Sequence, residues 1–333
     1  MEKKKLLEIK DLHTAFRIGG EYYDAVDGVT FDLYSNEVLA IVGESGCGKS
    51  TIAMTIMGLY NKLFTKVKGE VMYNGNNLLE YSEDDYNTIR GGDIGMIFQD
   101  PLASLNPLHR IGAQIEEALE YHTNLNADER KAKAIELLDL VGIENPKRCY
   151  RQFPHELSGG MRQRVIIAIA LSCKPNILIA DEPTTALDVT IQAQILDLIS
   201  DLREEIEAGI ILITHDLGVV AQTADRVAVM YAGEFVEIAE VNELFNNPLH
   251  PYTRSLLNSI PQDSSLGKDL HVIQGMVPSL NNMPRHGCRF KDRIPWIDDS
   301  AHEKDPILHE VSPGHFVRCS CYKHFHFQGE DEI

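Results

Sequence analysis

Residues 43–51 read Gly-Glu-Ser-Gly-Cys-Gly-Lys-Ser-Thr and fit the phosphate-loop pattern G-x-x-x-x-G-K-[ST] at every fixed position. The spacing carries the chemistry. Gly43, Gly46 and Gly48 let the backbone turn sharply, so that its N–H groups, with those of Glu44, Ser45 and Cys47, converge on phosphate oxygens. Lys49 then reaches the β- and γ-phosphates, the Ser50 hydroxyl ligates Mg²⁺, and Thr51 continues into a helix. Such a loop works only between a strand and a helix. The apolar run Val38–Val42 reads as a buried strand, and Ser50–Leu59 as a helix whose positive dipole end faces the phosphates.

Along the chain, Leu6–Leu12 and Gly28–Leu33 read as strands around a turn at Gly19-Gly20. Phe16, Tyr22 and Tyr23 lie near that turn, where an aromatic ring can stack on an adenine. Lys68–Tyr73 reads as a strand ending in the hairpin signal Asn74-Gly75. Ile94–Phe98 is a strand that delivers a proline-flanked loop beginning at Gln99. Residues 111–150 read as helical. Asn126 and Glu129 form a capping box, Ala132, Ile135, Leu138 and Val141 keep a helical period, and Gly142 ends the helix. Leu157-Ser-Gly-Gly-Met-Arg-Gln163 then opens an apolar helix, with Ser158 and Gly160 at its start, a second anion-binding geometry.

Ile177–Asp181 is a buried strand that ends in Asp181 and Glu182. Asp181 is placed to hold Mg²⁺ through water, and Glu182 to orient and deprotonate an attacking water. Asp188 caps a helix with the face Ile191, Ile195, Leu198 and Leu202, which Gly209 closes. Ile210–Ile213 leads to His215, at a strand's C-terminal end, where ligands of α/β sheets bind. Val227–Met230 and Phe235–Ile238 read as a hairpin. Beyond about residue 245 prolines punctuate a weakly periodic, loop-rich tail. The expected division is therefore 1–245 and 246–333, with a helical insertion at about 100–165.

The formal net charge of −19, from 50 acidic and 31 basic residues, argues against a nucleic-acid partner. No apolar run approaches the roughly 18 residues that span a bilayer, so a membrane role requires a partner. Six widely spaced cysteines and an N-terminus without a signal-peptide pattern point to a reducing cytosol.

In sequence order, the phosphate loop, Gln99, Leu157–Gln163, Asp181-Glu182, Ala186-Leu187-Asp188 and His215 resemble an ABC-type ATPase. Phe98–Pro107, Glu182–Gln194 and Asn247–Arg254 resemble the peptide/nickel importer ATPases, and the wording is closer to the D-type than the F-type subunits of oligopeptide importers. The resemblance covers nearly the full length. It implies a P-loop α/β fold with an antiparallel β subdomain, a helical insertion and a small C-terminal extension. It also implies ATP and Mg²⁺ as ligands, with Ser50, Gln99 and Asp181 at the metal, Glu182 as base and His215 as switch. Phe16, with Tyr23 second, maps onto the adenine-stacking aromatic. Ser158 and Gly160 would close on the γ-phosphate of a second, F-type ATPase subunit, with Asp188 communicating across the dimer. Two permease subunits would contact Gln99–Asn106 and the helical insertion, an extracellular peptide-binding protein would complete the assembly, and the chain would lie peripherally on the cytoplasmic face of the cell membrane.

The family's tail cysteines, which hold an iron–sulfur cluster, match only at Gly287-Cys288-Arg-Phe290 and Cys319. Ile294 stands where another cysteine is expected, and Cys321 is an addition. A cluster wants four thiolates. The expectation is therefore no cluster, with a site of these three cysteines plus a histidine, such as His302 or His315, as the other outcome. Cys47 is expected to be a packing residue, open to oxidation or alkylation. The expected activity is ATP hydrolysis coupled to oligopeptide import. The alternatives are a dipeptide or nickel importer and a soluble ABC ATPase of DNA repair or translation. A nucleotide kinase or GTPase leaves Ser158-Gly159-Gly160 unexplained.

Overall fold

The computed structural model describes residues 3–100, 104–184, 189–259 and 273–328. Two sheets carry the fold. An antiparallel sheet has the order β2-β1-β4-β5, from β1 (Lys5–Ile18), β2 (Glu21–Tyr34), β4 (Thr65–Tyr73) and β5 (Asn76–Asn77). The larger sheet has the order β11-β12-β10-β9-β3-β8-β7-β6. Its centre comprises β3 (Val38–Val42), β6 (Ile94–Ile97), β7 (Ile177–Asp181), β8 (Gly209–Thr214) and β9 (Arg226–Tyr231), all parallel. β10 (Glu234–Glu240), β12 (His315–Arg318) and β11 (Leu308–Ser312) extend it antiparallel.

The central strands are apolar apart from their ends because both faces of the sheet are covered. Alternate residues of β3 enter different cores. Val38, Ala40 and Val42 pack with the helices at 111–171 and with the C-terminal segment. Leu39 and Ile41 pack with the antiparallel sheet and with Ile52 and Ile56 of the Lys49–Ile56 helix. Strands β7 and β8 divide in the same way.

The hairpin of β1 and β2 turns at Gly19-Gly20 as expected, but its strands run 14 residues each, further toward the turn than their apolar stretches indicate. The helix after the phosphate loop ends at Ile56 rather than Leu59, and Gly58 follows in a left-handed conformation, φ +62. The capping box of Asn126 and Glu129 is present, and Gly142 follows that helix at φ +74. The buried face is Ala134, Leu137, Leu138 and Val141, whereas Ala132 is exposed. The even i+3 spacing drifted off the true stripe, which follows a 3.6-residue turn. Gly209 does not close the preceding helix. It starts β8, and a Cβ there would sit 2.7 Å from the Tyr34 carbonyl oxygen. Glu207, φ +52, takes the left-handed turn instead. Ala186, Leu187 and Asp188 lie outside the described residues, as does the side chain of Leu202.

The C-terminal segment is loop-rich, yet it completes the main sheet through β12 on β10. His315 of β12 fastens it. Its ring is buried, with Nε2 2.8 Å from Oε1 of the fully buried Glu237 on β10 and Nδ1 3.3 Å from Glu243. Glu237 also accepts the N–H groups of Leu249 and His250. The Glu237 hydrogen bond raises the His315 pKa above its ordinary value. The imidazolium is thus favoured by folding. Its contribution is complete below the unfolded histidine pKa of about 6.5 and is lost as pH rises through the folded value. His315→Gln is expected to cost about 1–3 kcal/mol at low pH. Melting curves should show the gap from wild type narrowing as pH rises above the unfolded histidine pKa of about 6.5 and the histidine loses its proton.

Candidate functional site

Four neighbouring parallel strands, β3, β8, β7 and β6, present their carboxyl ends on one edge of the sheet, where α/β proteins bind ligands. β3 delivers residues 43–51, β8 delivers His215, β7 ends in Asp181 before Glu182, and β6 leads to Gln99. The sheet thereby gathers residues spread over more than 170 positions of sequence.

The phosphate loop wraps the start of the Lys49–Ile56 helix. Two glycines are sterically required. A Cβ on Gly43 would lie 2.1 Å from the Met230 carbonyl oxygen, and one on Gly48, φ +113, would lie 2.6 Å from that of Ala25. Ser45 and Gly46 are exposed at the crest, and Glu44, Ser50 and Thr51 are half-buried. Lys49 is buried and folds back over the loop, with Nζ donating to the Gly43 carbonyl at 2.8 Å and to that of Glu44 at 3.1 Å. Cys47 is buried and burial pushes its thiol pKa up, which fits packing and disfavours alkylation.

Beside the loop, Ser50 Oγ donates to Asp181 Oδ1 at 3.0 Å. Burial, foremost, and the charge of Glu182 push the Asp181 carboxyl up, while the Ser50 hydrogen bond opposes them. A carboxylate so placed is favoured by a cation. Glu182 adopts a left-handed φ of +46 immediately after β7, and its N–H donates to the Ile213 carbonyl. Its carboxylate accepts from Gln99 Nε2 at 3.0 Å through Oε2, while Oε1 lies 3.4 Å from His215 Nδ1. The Glu182 side chain is largely buried, whereas that of His215 is 62% exposed. Residues 182, 99 and 215 therefore form one polar group.

Phe16 sits on β1 opposite Tyr23 of β2 and is half-buried. Its ring meets Tyr60 edge-on, centroids 4.9 Å apart. Tyr23 Oη instead donates to Glu21. Ser158 caps the Gly159–Leu171 helix by accepting from the Met161 N–H. Ser158 and Gly159 are exposed, and Gly160 packs toward Ile191, with 3.2 Å between that side chain and a built Cβ.

Two residues of the C-terminal segment support the loop and were not foreseen. Tyr252, fully buried against Tyr231 and Phe290, accepts the Glu44 N–H on its hydroxyl at 2.8 Å. Arg293 grips the Glu44 carboxylate at both oxygens, at 2.6 and 3.2 Å, and its guanidinium also donates to the carbonyls of Ile273, Gln274 and Gly275. A bidentate pair of this kind fixes geometry as well as charge. Arg293→Ala is expected to cost about 1–3 kcal/mol of stability. It should also weaken nucleotide binding several-fold, because the loop crest loses its brace; thermal melting and nucleotide titration check both.

Such an edge is built for an anionic phosphate chain, which puts the protein among the phosphate-loop nucleotide-binding proteins. The "ABC transporter" family model matches residues 26–185, and the "Oligopeptide/dipeptide transporter, C-terminal region" model matches residues 236–297. The oligopeptide transport ATP-binding protein OppD of Lactococcus lactis subsp. cremoris is 51% identical over 98% of this chain and 97% of its own length. The oligopeptide transport ATP-binding protein AppD of Bacillus subtilis is 50% identical, over 96% of this chain and 97% of that protein. The dipeptide transport ATP-binding protein DppD of Bacillus subtilis is 47% identical over 95% and 92%. Among solved structures, the dimeric post-hydrolysis state of the ATP-binding cassette MJ0796, bound to ADP and Pi, superposes with a TM-score of 0.65 at 30% identity, covering 71% of this chain and 99% of that one. The chain belongs to the ABC transporter ATP-binding proteins, in the group whose C-terminal region is that of oligopeptide and dipeptide transporters.

Proposed function

We propose that this chain hydrolyses ATP to power the import of oligopeptides through a membrane ABC complex. The observation that carries the hydrolytic reading is the setting of Glu182, held between Gln99 and His215 beside the Ser50–Asp181 pair. Lys49 binds the β- and γ-phosphates, and the loop N–H groups orient them in line for attack. Glu182 takes the proton from a water, whose oxygen attacks the γ-phosphorus as the bond to ADP breaks. His215 holds the Glu182 carboxylate in its orientation and faces the leaving phosphate. Ser50, Gln99 and Asp181 suit a Mg²⁺ ion, whose charge would offset that of the phosphates.

Phe16 is the adenine platform. The expected effect of Phe16→Ala is a roughly 5- to 100-fold loss of ATP affinity, the range of one base–aromatic stack. Tyr23→Ala should change it little, since its hydroxyl is engaged with Glu21. Fluorescence titration with a labelled nucleotide separates the two.

Ser158 and Gly160, exposed or half-buried at a helix N-terminus, are suited to the γ-phosphate bound by a second, F-type ATPase subunit. No described helix is long and apolar enough to cross a membrane. We place the chain on the cytoplasmic face, against two permease subunits served by an extracellular peptide-binding protein. Leu108 and Tyr121, 82% and 79% exposed beside and within the Ile111–His122 helix, support permease docking there. The extension after about residue 245 braces the phosphate loop through Tyr252 and Arg293.

A dipeptide cargo is the second reading, favoured by the 47% identity to the dipeptide transport protein. Uptake separates them. In cells of the source organism lacking a redundant importer and carrying Glu182→Gln, a labelled pentapeptide, a dipeptide and nickel are followed side by side. Loss of pentapeptide uptake alone is expected. Loss of dipeptide or nickel uptake alone would keep the mechanism and change the cargo, and undiminished uptake of all three would reject transport.

A further inference from the structure

Four side chains that the ATPase reading does not use converge in the C-terminal segment. Cys288, His302, Cys319 and Cys321 each offer one donor atom, and these atoms all lie within 4.8 Å of one another. The chain is shaped to bring them there. Cys288 follows Gly287, whose φ is +80. His302 ends the short turn Asp299–Ala301. Cys319 takes φ +67, a left-handed conformation rare outside glycine, and starts the turn that carries Cys321. The Glu303 N–H donates to Cys319 Sγ at 3.4 Å, and the Ser320 N–H donates to Glu303 Oε1 at 2.9 Å, so the arms are tied together. Cys288, Cys319 and Cys321 are buried in the same core as Phe290, Ile294 and Phe325.

A second observation points to a ligand. Both ring nitrogens of His302 are buried, and neither has a hydrogen-bond partner among the described residues. Buried polar atoms are nearly always paired, and an imidazole idle at both nitrogens beside three thiols is suited to a metal. His315, the other histidine considered for this role, is instead spent on Glu237 and Glu243.

The arrangement does not fit the family's cluster. A [4Fe–4S] cube is held by four thiolates on four separate irons, spreading its ligands around a polynuclear core. Here one of the four donors is a histidine, and the set is gathered as around a single ion. A tetrahedral ion with bonds of about 2.3 Å to sulfur and about 2.0–2.1 Å to nitrogen sets its donors roughly 3.4–3.8 Å apart. The observed set needs only a small contraction to reach that.

We propose that Cys288, His302, Cys319 and Cys321 bind one structural Zn²⁺ ion as a closed Cys₃His site. Binding replaces the thiol protons with the metal and gives one His302 nitrogen a partner. The ion also steadies the loop-supporting arm, because the turn Lys291–Arg293 begins three residues after Cys288 and its Lys291 N–H donates to the Cys288 carbonyl. The site stands whether or not the chain imports peptides.

The test is the metal content of the full chain, produced in medium containing both iron and zinc and purified without oxygen. Mass spectrometry of the metals, with an assay for acid-labile sulfide, should give one zinc per chain and no sulfide. Replacing the zinc with cobalt should produce the visible absorption of a tetrahedral thiolate site. Cys321→Ser and His302→Ala should lose most of the zinc, whereas His302→Cys, which restores four donors, should keep it. Iron and sulfide in matching amounts would overturn the proposal in favour of a cluster. A folded wild-type chain that neither carries zinc nor takes it up would overturn it outright.

Discussion

Glu182→Gln is expected to lower the ATPase rate of the assembled complex by about 10²–10⁴-fold, the range supplied by a positioned general base. The substitution is nearly isosteric, so the loss is chemical rather than structural. Glu182 lies where β7 leaves the sheet, its N–H is anchored on the Ile213 carbonyl, and its carboxylate faces Gln99 and His215. An amide there can still hydrogen-bond both neighbours but accepts no proton from water. ATP affinity should stay within a few-fold of wild type, because the phosphate-binding groups lie on the loop after β3. The informative readout is therefore the split: turnover lost, nucleotide binding kept. Equal loss of both would point to a collapsed site and deny Glu182 the role of base.

Lys49→Met is expected to do the reverse and remove nucleotide binding itself. Lys49 is the buried cation of the loop, and its Nζ already spans the carbonyls of Gly43 and Glu44. Charge-assisted hydrogen bonds contribute about 1.5–3 kcal/mol each, so loss of contacts to two phosphates weakens ATP binding by at least roughly 10²-fold. Methionine keeps the length and apolar stem of the side chain, which limits the damage to the surrounding core. Equilibrium dialysis with labelled ATP measures the effect, and near-normal binding by Lys49→Met would remove Lys49 from the phosphate site.

Much of this site is legible in the sequence because its parts are local. The phosphate loop, the two carboxylates after an apolar strand and the serine-capped glycine turn each occupy a few consecutive residues. The strands β3, β7 and β8 are apolar through their interiors because both faces of the sheet are covered, which also explains why their ends can be located to within a residue. What escapes is what depends on distant partners. The hold of Arg293 on Glu44 spans 249 positions, and nothing local marks either residue. Strands β11 and β12 are four or five residues long, and β11 is largely exposed; β12 exists by pairing with β10. Gly209 reads as a helix stop, but it is a glycine because β2 passes too close for a side chain. The three tail cysteines are visible in the sequence, whereas for their fourth companion the sequence offers histidines such as His302 and His315, and the fold chooses His302.

The central claim, that ATP hydrolysis at Glu182 drives peptide import, is tested most directly in proteoliposomes. The chain is assembled with its partner ATPase, the two permease subunits and the peptide-binding protein, and accumulation of a labelled pentapeptide is followed with ATP supplied on the side of the ATPases. Wild type should accumulate the peptide only when ATP is present, and the Glu182→Gln complex should bind ATP yet accumulate none beyond a single turnover. Sustained accumulation by the Glu182→Gln complex, or accumulation by wild type that is indifferent to ATP, would contradict the account.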